Sequence, residues 1–221
     1  MTNLTHSYSS LKMFENCPKR YYHQRITKEV KDIGGTAMVY GENVHKALED
    51  RLRSSTALPA HLTALEPLCA TVEKNVRESN GELLVEEEMT LTDSFTPTGW
   101  WDSDAWFRSK IDVLSITGGL ATTIDWKTGK VRPDFTQLDL FALQTFIHKP
   151  QVDKIVSTFV WTKYDRLDNK VYKRDDVPDL LTGLTSKTKR IEQAVEADVW
   201  PAKPSGLCGW CPCKSFCTYA R

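Results

Sequence analysis

Two acidic strands joined by a glycine turn constrain this chain more than any other feature. Lys110-Ile-Asp112-Val-Leu-Ser-Ile116 and Ala121-Thr-Thr-Ile-Asp125-Trp-Lys127 flank Thr117-Gly118-Gly119-Leu120, a two-residue hairpin signal. With Gly118 and Gly119 as the turn, Thr117 faces Leu120, and the register sets Asp112 directly opposite Asp125. Facing side chains on one side of a sheet have Cβ atoms about 4.5–5.5 Å apart, and like charges placed so are destabilising. A hard divalent cation offsets that repulsion, because Mg²⁺ takes one or two carboxylates together with waters and phosphate oxygens. Lys127 lies two residues beyond Asp125 and so shares its sheet face. Two acids and a lysine around one metal suit phosphodiester hydrolysis. The metal polarises the phosphoryl oxygen and makes hydroxide available, while the lysine stabilises charge or orients water. On these strands alone, a solvated surface hairpin with Lys110 and Lys127 as counter-charges fits equally well.

The rest of the chain supplies a mixed setting for the hairpin. Ser7–Cys17 reads as a capped short helix with Leu11 and Phe14 facing inward, stopping before Pro18. A second short helix carries Arg20, Tyr21 and Tyr22. After Gly34-Gly35, Val44, Leu48 and Leu52 recur at helical spacing, and residues 61–78 form another helical stretch. Strands are expected over 82–91, 105–116 and 120–127, a helix over 134–148, a hairpin from 154–164 and 168–174, and a helix over 178–199. This order predicts one α/β domain over 1–221, with a helical part to residue 80, a catalytic sheet and helix over 82–175, and a C-terminal helix with a cysteine cluster from 176.

Charge helps only through its distribution. The chain has 29 basic and 29 acidic residues. Residues 1–31 carry six bases against two acids, whereas 66–104 carry ten acids against two bases, which allows a basic face for phosphates beside an acidic region for metal. Lys163, Arg166, Lys170, Lys173 and Arg174 mark a second basic stretch, and Lys19-Arg20-Tyr21-Tyr22 offers phosphate contacts and stacking surfaces. No apolar run approaches the roughly 18–20 residues that span a bilayer. The opening Met1–His6 has neither a basic head nor an apolar stretch, so a cytosolic protein without a secretory signal is expected. The phosphate loop of a nucleotide-driven motor is missing from the sequence.

Six cysteines are unevenly placed: Cys17 and Cys69 stand alone, and Cys208, Cys211, Cys213 and Cys217 fall within ten residues. Such density in a cytosolic chain points to metal rather than disulfides, with zinc or an iron–sulfur cluster as the soft-ligand choices. All four ligands could come from the C-terminal segment. In its predicted helix, Cys69 reads as an inert buried thiol.

Taken together, these segments resemble the PD-(D/E)XK nuclease superfamily, in the branch of RecB-type nuclease domains, the AddB subunit and the CRISPR-associated adaptation nuclease. The match runs from Ser7 to Cys217. Ser7-Tyr-Ser-Ser-Leu-Lys-Met-Phe-Glu-Asn-Cys17-Pro-Lys-Arg-Tyr-Tyr resembles the family's opening segment, and Gly41-Glu-Asn-Val-His45-Lys-Ala-Leu-Glu its histidine helix. Lys110-Ile-Asp112-Val-Leu resembles the first acidic motif, Ile124-Asp125-Trp-Lys127-Thr-Gly-Lys130 the second acid with its lysine, and Asp134-Phe-Thr-Gln137-Leu-Asp-Leu-Phe141 the next helix.

That resemblance implies a restriction-endonuclease-like core: a central mixed sheet flanked by helices. It implies a catalytic set of His45, Glu86, Asp112, Asp125 and Lys127, with Mg²⁺ or Mn²⁺ on His45, Asp112 and Asp125. DNA contacts would come from Gln137, Arg20 and Tyr21, although Phe141 stands where the family's glutamine motif has tyrosine. A [4Fe–4S] cluster on Cys17, Cys208, Cys211 and Cys217 is implied, with Cys213 outside that pattern and zinc as the other occupant. The function implied is a DNA exonuclease for single strands or ends, in recombination, replication or repair, of phage type, working with a helicase or recombination partner. Its counterpart is a silent DNA-binding or scaffolding subunit that keeps the fold. A zinc-based interaction module is a third reading, requiring the C-terminal thiols to fold without Cys17.

Overall fold

The computed structural model describes residues 4–31, 34–164 and 166–220, so the reading of the chain start as lacking a signal falls partly, over residues 1–3, outside the described residues. Its helices are α1 (Tyr8–Asn16), α2 (Pro18–Tyr21), α3 (Thr36–Ser54), α4 (Glu66–Glu78), α5 (Thr136–His148) and α6 (Val177–Ala197). Its strands are β1 (Glu82–Leu91), β2 (Phe107–Thr117), β3 (Leu120–Lys127), β4 (Lys154–Trp161) and β5 (Arg166–Lys173). The chain divides into two compact units, one of Met1–Thr5 with Gly35–Leu181, the other of His6–Gly34 with Thr182–Arg221.

The larger unit is built on one five-stranded sheet in the order β1-β2-β3-β4-β5. Neighbours are antiparallel except β3 and β4, which run parallel and are connected through α5. This is the mixed α/β sheet the sequence predicts. Side chains alternate between two apolar layers, as strand geometry requires. Leu114, Ile116, Ala121, Ile155 and Phe159 pack with Leu138, Phe141, Ala142 and Phe146 of α5. Val113, Ile124, Trp126 and Val160 pack with Val44, Leu48 and Leu52 of α3. The sheet therefore has an α5 face and an α3 face, and each helix carries residues toward the carboxylate hairpin.

Local chemistry sets several boundaries. The helical stretch expected over 61–78 is a 3₁₀ segment, Ala60–Leu65, followed by α4, with Pro67 in the first turn where its missing amide costs nothing. Ahead of β1, a Cβ on Gly81 would lie 2.5 Å from the Ile116 carbonyl oxygen and 2.8 Å from Thr117 Oγ1. Gly81→Ala should therefore push α4's exit away from the hairpin and cost about 1–3 kcal/mol, an overpacking penalty. Thermal melting checks this, and an unchanged midpoint would show that the backbone yields freely.

One irregularity positions the site. β1 and β2 pair with one constant offset, Glu82–Val85 against Ile116–Val113 and Glu87–Leu91 against Ile111–Phe107, but Glu86 and Asp112 between them do not pair. Glu86 has φ 55°, a left-handed conformation costly for a residue with a Cβ. Across the break both strands invert their alternation: Leu84 and Leu114 join the α5 cluster before it, and Met89 and Ile111 join it after. Odd and even positions have exchanged roles. Two consecutive residues on each strand, Val85-Glu86 and Asp112-Val113, thus turn toward α3.

The smaller unit is held by aromatic packing. Ser7 caps α1, exchanging hydrogen bonds with Ser10, and Leu11 and Phe14 are buried as the sequence predicts. Phe14 meets Tyr21 edge-on at 5.5 Å, and Tyr21 stacks on Trp200 at 6.1 Å. Lys187 forms an ion pair with Glu15. Among the described residues, no helix is long and apolar enough to cross a membrane.

Candidate active site

The hairpin forms with the expected register, Thr117 facing Leu120 through to Val113 facing Ile124. The ladder stops at that pair. One step further, Asp112 and Asp125 diverge in their partners. The Asp112 carboxylate turns to the α3 side, where Oδ1 lies 3.2 Å from His45 Nδ1, and its Oδ2 accepts the Trp126 backbone amide at 2.8 Å. That side-chain bond replaces the next rung of the ladder. His45 reaches this point because it follows Val44 on α3, one residue off the stripe that packs the sheet.

Glu86 joins from β1. One donor atom each from His45, Glu86 and Asp112 lie within 4.8 Å of one another, a grouping able to hold a cation. The second Glu86 neighbour is Lys110, whose Nζ is 2.6 Å from Oε2. Sequence reasoning had Lys110 only as a counter-charge, yet its place two residues before Asp112 already put it on that face. Of the Glu86-Glu87-Glu88 run, Glu86 is the acid turned into the site, while Glu87 lies 4.0 Å from Lys149 and Glu88 is exposed.

Asp125 occupies the α5 side with Lys127 and Gln137. Lys127 Nζ is 2.7 Å from Asp125 Oδ2 and donates to Gln137 Oε1 at 2.6 Å, while Gln137 Nε2 donates to Asp125 Oδ1 at 2.6 Å. The ammonium also sits 4.8 Å from the centroid of the Phe159 ring. Gln137, for which the resemblance implies a DNA contact, lies between the acid and the lysine and bonds to both.

The electrostatics are those of a crowded, dry set of acids. Burial, and after it the Asp112 charge, push Asp125 up to about 6, against the opposing pull of Lys127 and His45. Burial works against a charged His45, but the hydrogen bond and charge of Asp112, with Asp125 and the Trp126 backbone, outweigh it and raise its pKa above the ordinary value. Each of these groups holds its proton more tightly than it would in water. A divalent cation would reverse that, since it needs the carboxylates ionised and the imidazole neutral.

The smaller unit holds the other sequence candidates. Cys17, Cys208, Cys211 and Cys217 are partly exposed, and Cys213 is 1% exposed. The Lys203 amide approaches Cys17 Sγ at 3.5 Å and the Ser205 amide donates to Cys208 Sγ at 3.2 Å, contacts that favour sulfur carrying negative charge. Burial, with Cys211 next to it, pushes the Cys213 thiol up to about 12. In the larger unit, Cys69 is buried and its thiol is pushed up to about 11 by burial, as an inert cysteine should be. Arg20 donates to Gln24 at 2.7 Å. Tyr21, expected as a stacking surface, is only 1% exposed, with its ring packed between Phe14 and Trp200.

Comparison with known proteins bears on the fold and the family. The crystal structure of a protein named SSO0001 matches 100% of this chain and 89% of its own, at 15% identity and a TM-score of 0.51. A protein from Eubacterium rectale, provisionally described as an exonuclease, matches 99% of this chain and 88% of its own, at 15% identity and a TM-score of 0.50. At that identity the likeness is one of fold. No curated protein matches the chain. The profile of the PD-(D/E)XK nuclease superfamily matches residues 5–218, nearly the whole length, and the chain belongs to that superfamily.

Proposed function

We propose that this nuclease hydrolyses phosphodiester bonds of DNA, as an exonuclease acting on single strands or ends, with Mg²⁺ or Mn²⁺ held by His45, Asp112 and Asp125 and supported by Glu86. The observation that carries this reading is the convergence of His45, Glu86 and Asp112 beside the Asp125–Lys127–Gln137 group. The donor set of hard oxygens with one imidazole fits such an ion. When bound, the cation supplies charge stabilisation at the phosphate. The chain's own residues do the rest. Gln137 and the Phe159 ring fix Lys127 so that its charge is already in place where negative charge grows in the transition state. Trp126 holds Asp112 through a backbone amide, which sets the carboxylate's direction independently of any flexible side chain.

Both units would act as one nuclease domain over 1–221. A [4Fe–4S] cluster on Cys17, Cys208, Cys211 and Cys217 would tie the two ends of the smaller unit, and the amides directed at Cys17 and Cys208 support thiolates there. Cys213, whose thiol burial pushes up, would stay protonated beside it. With no phosphate loop in the sequence, a helicase or recombination protein would supply any motor, in recombination, replication or repair.

The test is cleavage of end-labelled single- and double-stranded DNA with Mg²⁺ or Mn²⁺, using protein purified without oxygen. Chelation should abolish cleavage, and Lys127→Ala should slow it by about 10²–10³-fold, the scale of losing one transition-state charge. Cleavage that persists in chelator, or in Lys127→Ala at the full rate, sinks the reading. A visible iron–sulfur absorption lost in Cys17→Ala supports the cluster; a colourless zinc protein refutes it.

A further inference from the structure

The α3 face of β2 continues past the site to a feature the nuclease chemistry leaves unused. Asp112, Lys110 and Arg108 succeed one another at every second residue, so Arg108 stands roughly 13 Å beyond Asp112 along the strand. Lys110 contacts Glu86, and the Arg108 guanidinium carbon is 5.3 Å from the centroids of both Trp100 and Trp101. Trp101 is 84% exposed. A large indole left in water needs a reason, and this one is held rather than loose.

The loop that carries it is clamped at several points. Thr98's amide donates to Thr90 O, Trp106's amide to Leu91 O, and Leu91 bridges to Pro97. Asp102 accepts the Gly99 amide at 2.8 Å and the Thr98 hydroxyl at 3.0 Å, and Asp104 accepts the same hydroxyl at 2.8 Å. Asp102 packs closely over Gly99, where a Cβ would fall 2.6 Å from Asp102 Oδ2 and make that carboxylate shift. Both acids are thus engaged by the loop's own donors. What faces outward is an indole backed by a guanidinium, in line with Lys110 and the carboxylates.

We propose that Trp101, backed by Arg108, is a stacking platform for an unpaired base of the DNA substrate, with Lys110 and Arg108 tracking the phosphates between it and the site. This rests on the nuclease reading and deepens it, naming single-stranded DNA as the preferred substrate. A base inside a duplex is covered on both faces by its neighbours, whereas an unpaired base of a single strand is open to stack on an indole.

The experiment compares wild type, Trp101→Ala and Trp101→Phe on a 20-residue oligothymidylate and on a blunt duplex of equal length. Anisotropy of the labelled oligothymidylate in chelator gives Kd, and cleavage with Mg²⁺ gives kcat and KM. In Trp101→Ala, Kd and KM for oligothymidylate should rise about 5- to 100-fold with kcat held within about twofold, and values for the duplex should stay unchanged. Trp101→Phe should recover most of the loss. Because Trp101 is exposed, all three proteins should melt together. If wild type cleaves and Trp101→Ala binds and cleaves oligothymidylate as well, the platform is refuted while the nuclease reading stands. If wild type neither binds nor cleaves either DNA, the nuclease reading fails and the platform with it.

Discussion

Asp125→Asn is expected to silence the enzyme and, without metal, to stabilise it. Asp125 is almost completely buried, and its pKa, ordinarily about 3.9, is raised to about 6. A folded-state pKa above the unfolded one means that the folded protein binds the proton more tightly, so stability is lost as pH rises through the interval from about 4 to 6 and stays lost above it. At one pKa unit per 1.36 kcal/mol the loss is on the order of 3 kcal/mol. Asparagine keeps the shape and its amide cannot ionise, so the variant should follow a flatter stability–pH curve and melt higher than wild type at pH 7–8. Saturating Mg²⁺ or Mn²⁺ should raise the wild-type midpoint much more than the variant's, because only the carboxylate binds the ion strongly. Cleavage should fall about 10³-fold or more. Melting curves from pH 4 to 8, with and without metal, check this; a variant that melts below metal-free wild type at pH 8 would contradict it.

Arg174→Ala is expected to produce the largest loss of stability of any single change discussed. The guanidinium donates to the carbonyl oxygens of Phe146, Lys149, Pro150 and Val152. These carbonyls lie at and beyond the C-terminal end of α5, where a helix leaves acceptors without partners and where positive charge is favoured. Hydrogen bonds to a charged donor contribute about 1.5–3 kcal/mol each in isolation, but alanine leaves part of this surface to water. A net loss of about 2–4 kcal/mol follows, lowering the melting midpoint by roughly 5–15 °C in a protein of this size. Arg174→Lys keeps the charge without the fork and should recover only a part. An Arg174→Ala protein melting within a degree or two of wild type would show that the four carbonyls do well enough in water. Because α5 also carries Gln137, the loosened variant should lose activity well below its melting point.

Much of this was legible in the residues. The Gly118-Gly119 turn set the β2–β3 register, and the strands over 82–91 and 120–127 form where patterning put them. The order of elements also foretold an α/β domain, and the resemblance its mixed sheet. What patterning missed is the break at Glu86 and Asp112. Alternation assumes that every residue advances to the opposite face, so a reading based on it leaves Asp112 on the face of Asp125. The structure instead turns Asp112 toward His45, and that turn depends on a left-handed Glu86, which no local sequence rule favours. The burial of Tyr21 was not legible for the opposite reason: its neighbours Phe14 and Trp200 are far apart in the chain, and only the folded packing joins them. Trp101 was hidden because an exposed indole and a buried one look alike in a sequence.

The matched break between β1 and β2 also separates what the ladder needs to pair from what brings the candidate site together. Since the offset is the same on both sides, removing Glu86 and Asp112 together would bring Val85 opposite Val113 and Glu87 opposite Ile111 as consecutive rungs, with every apolar side chain already on its proper face. In geometry the two acids amount to one extra residue in each of two neighbouring strands, set into a ladder that would be regular without them. Losing one alone would shift a whole strand to the wrong face. Only a change of equal length in both strands at once would leave the core facing as it does.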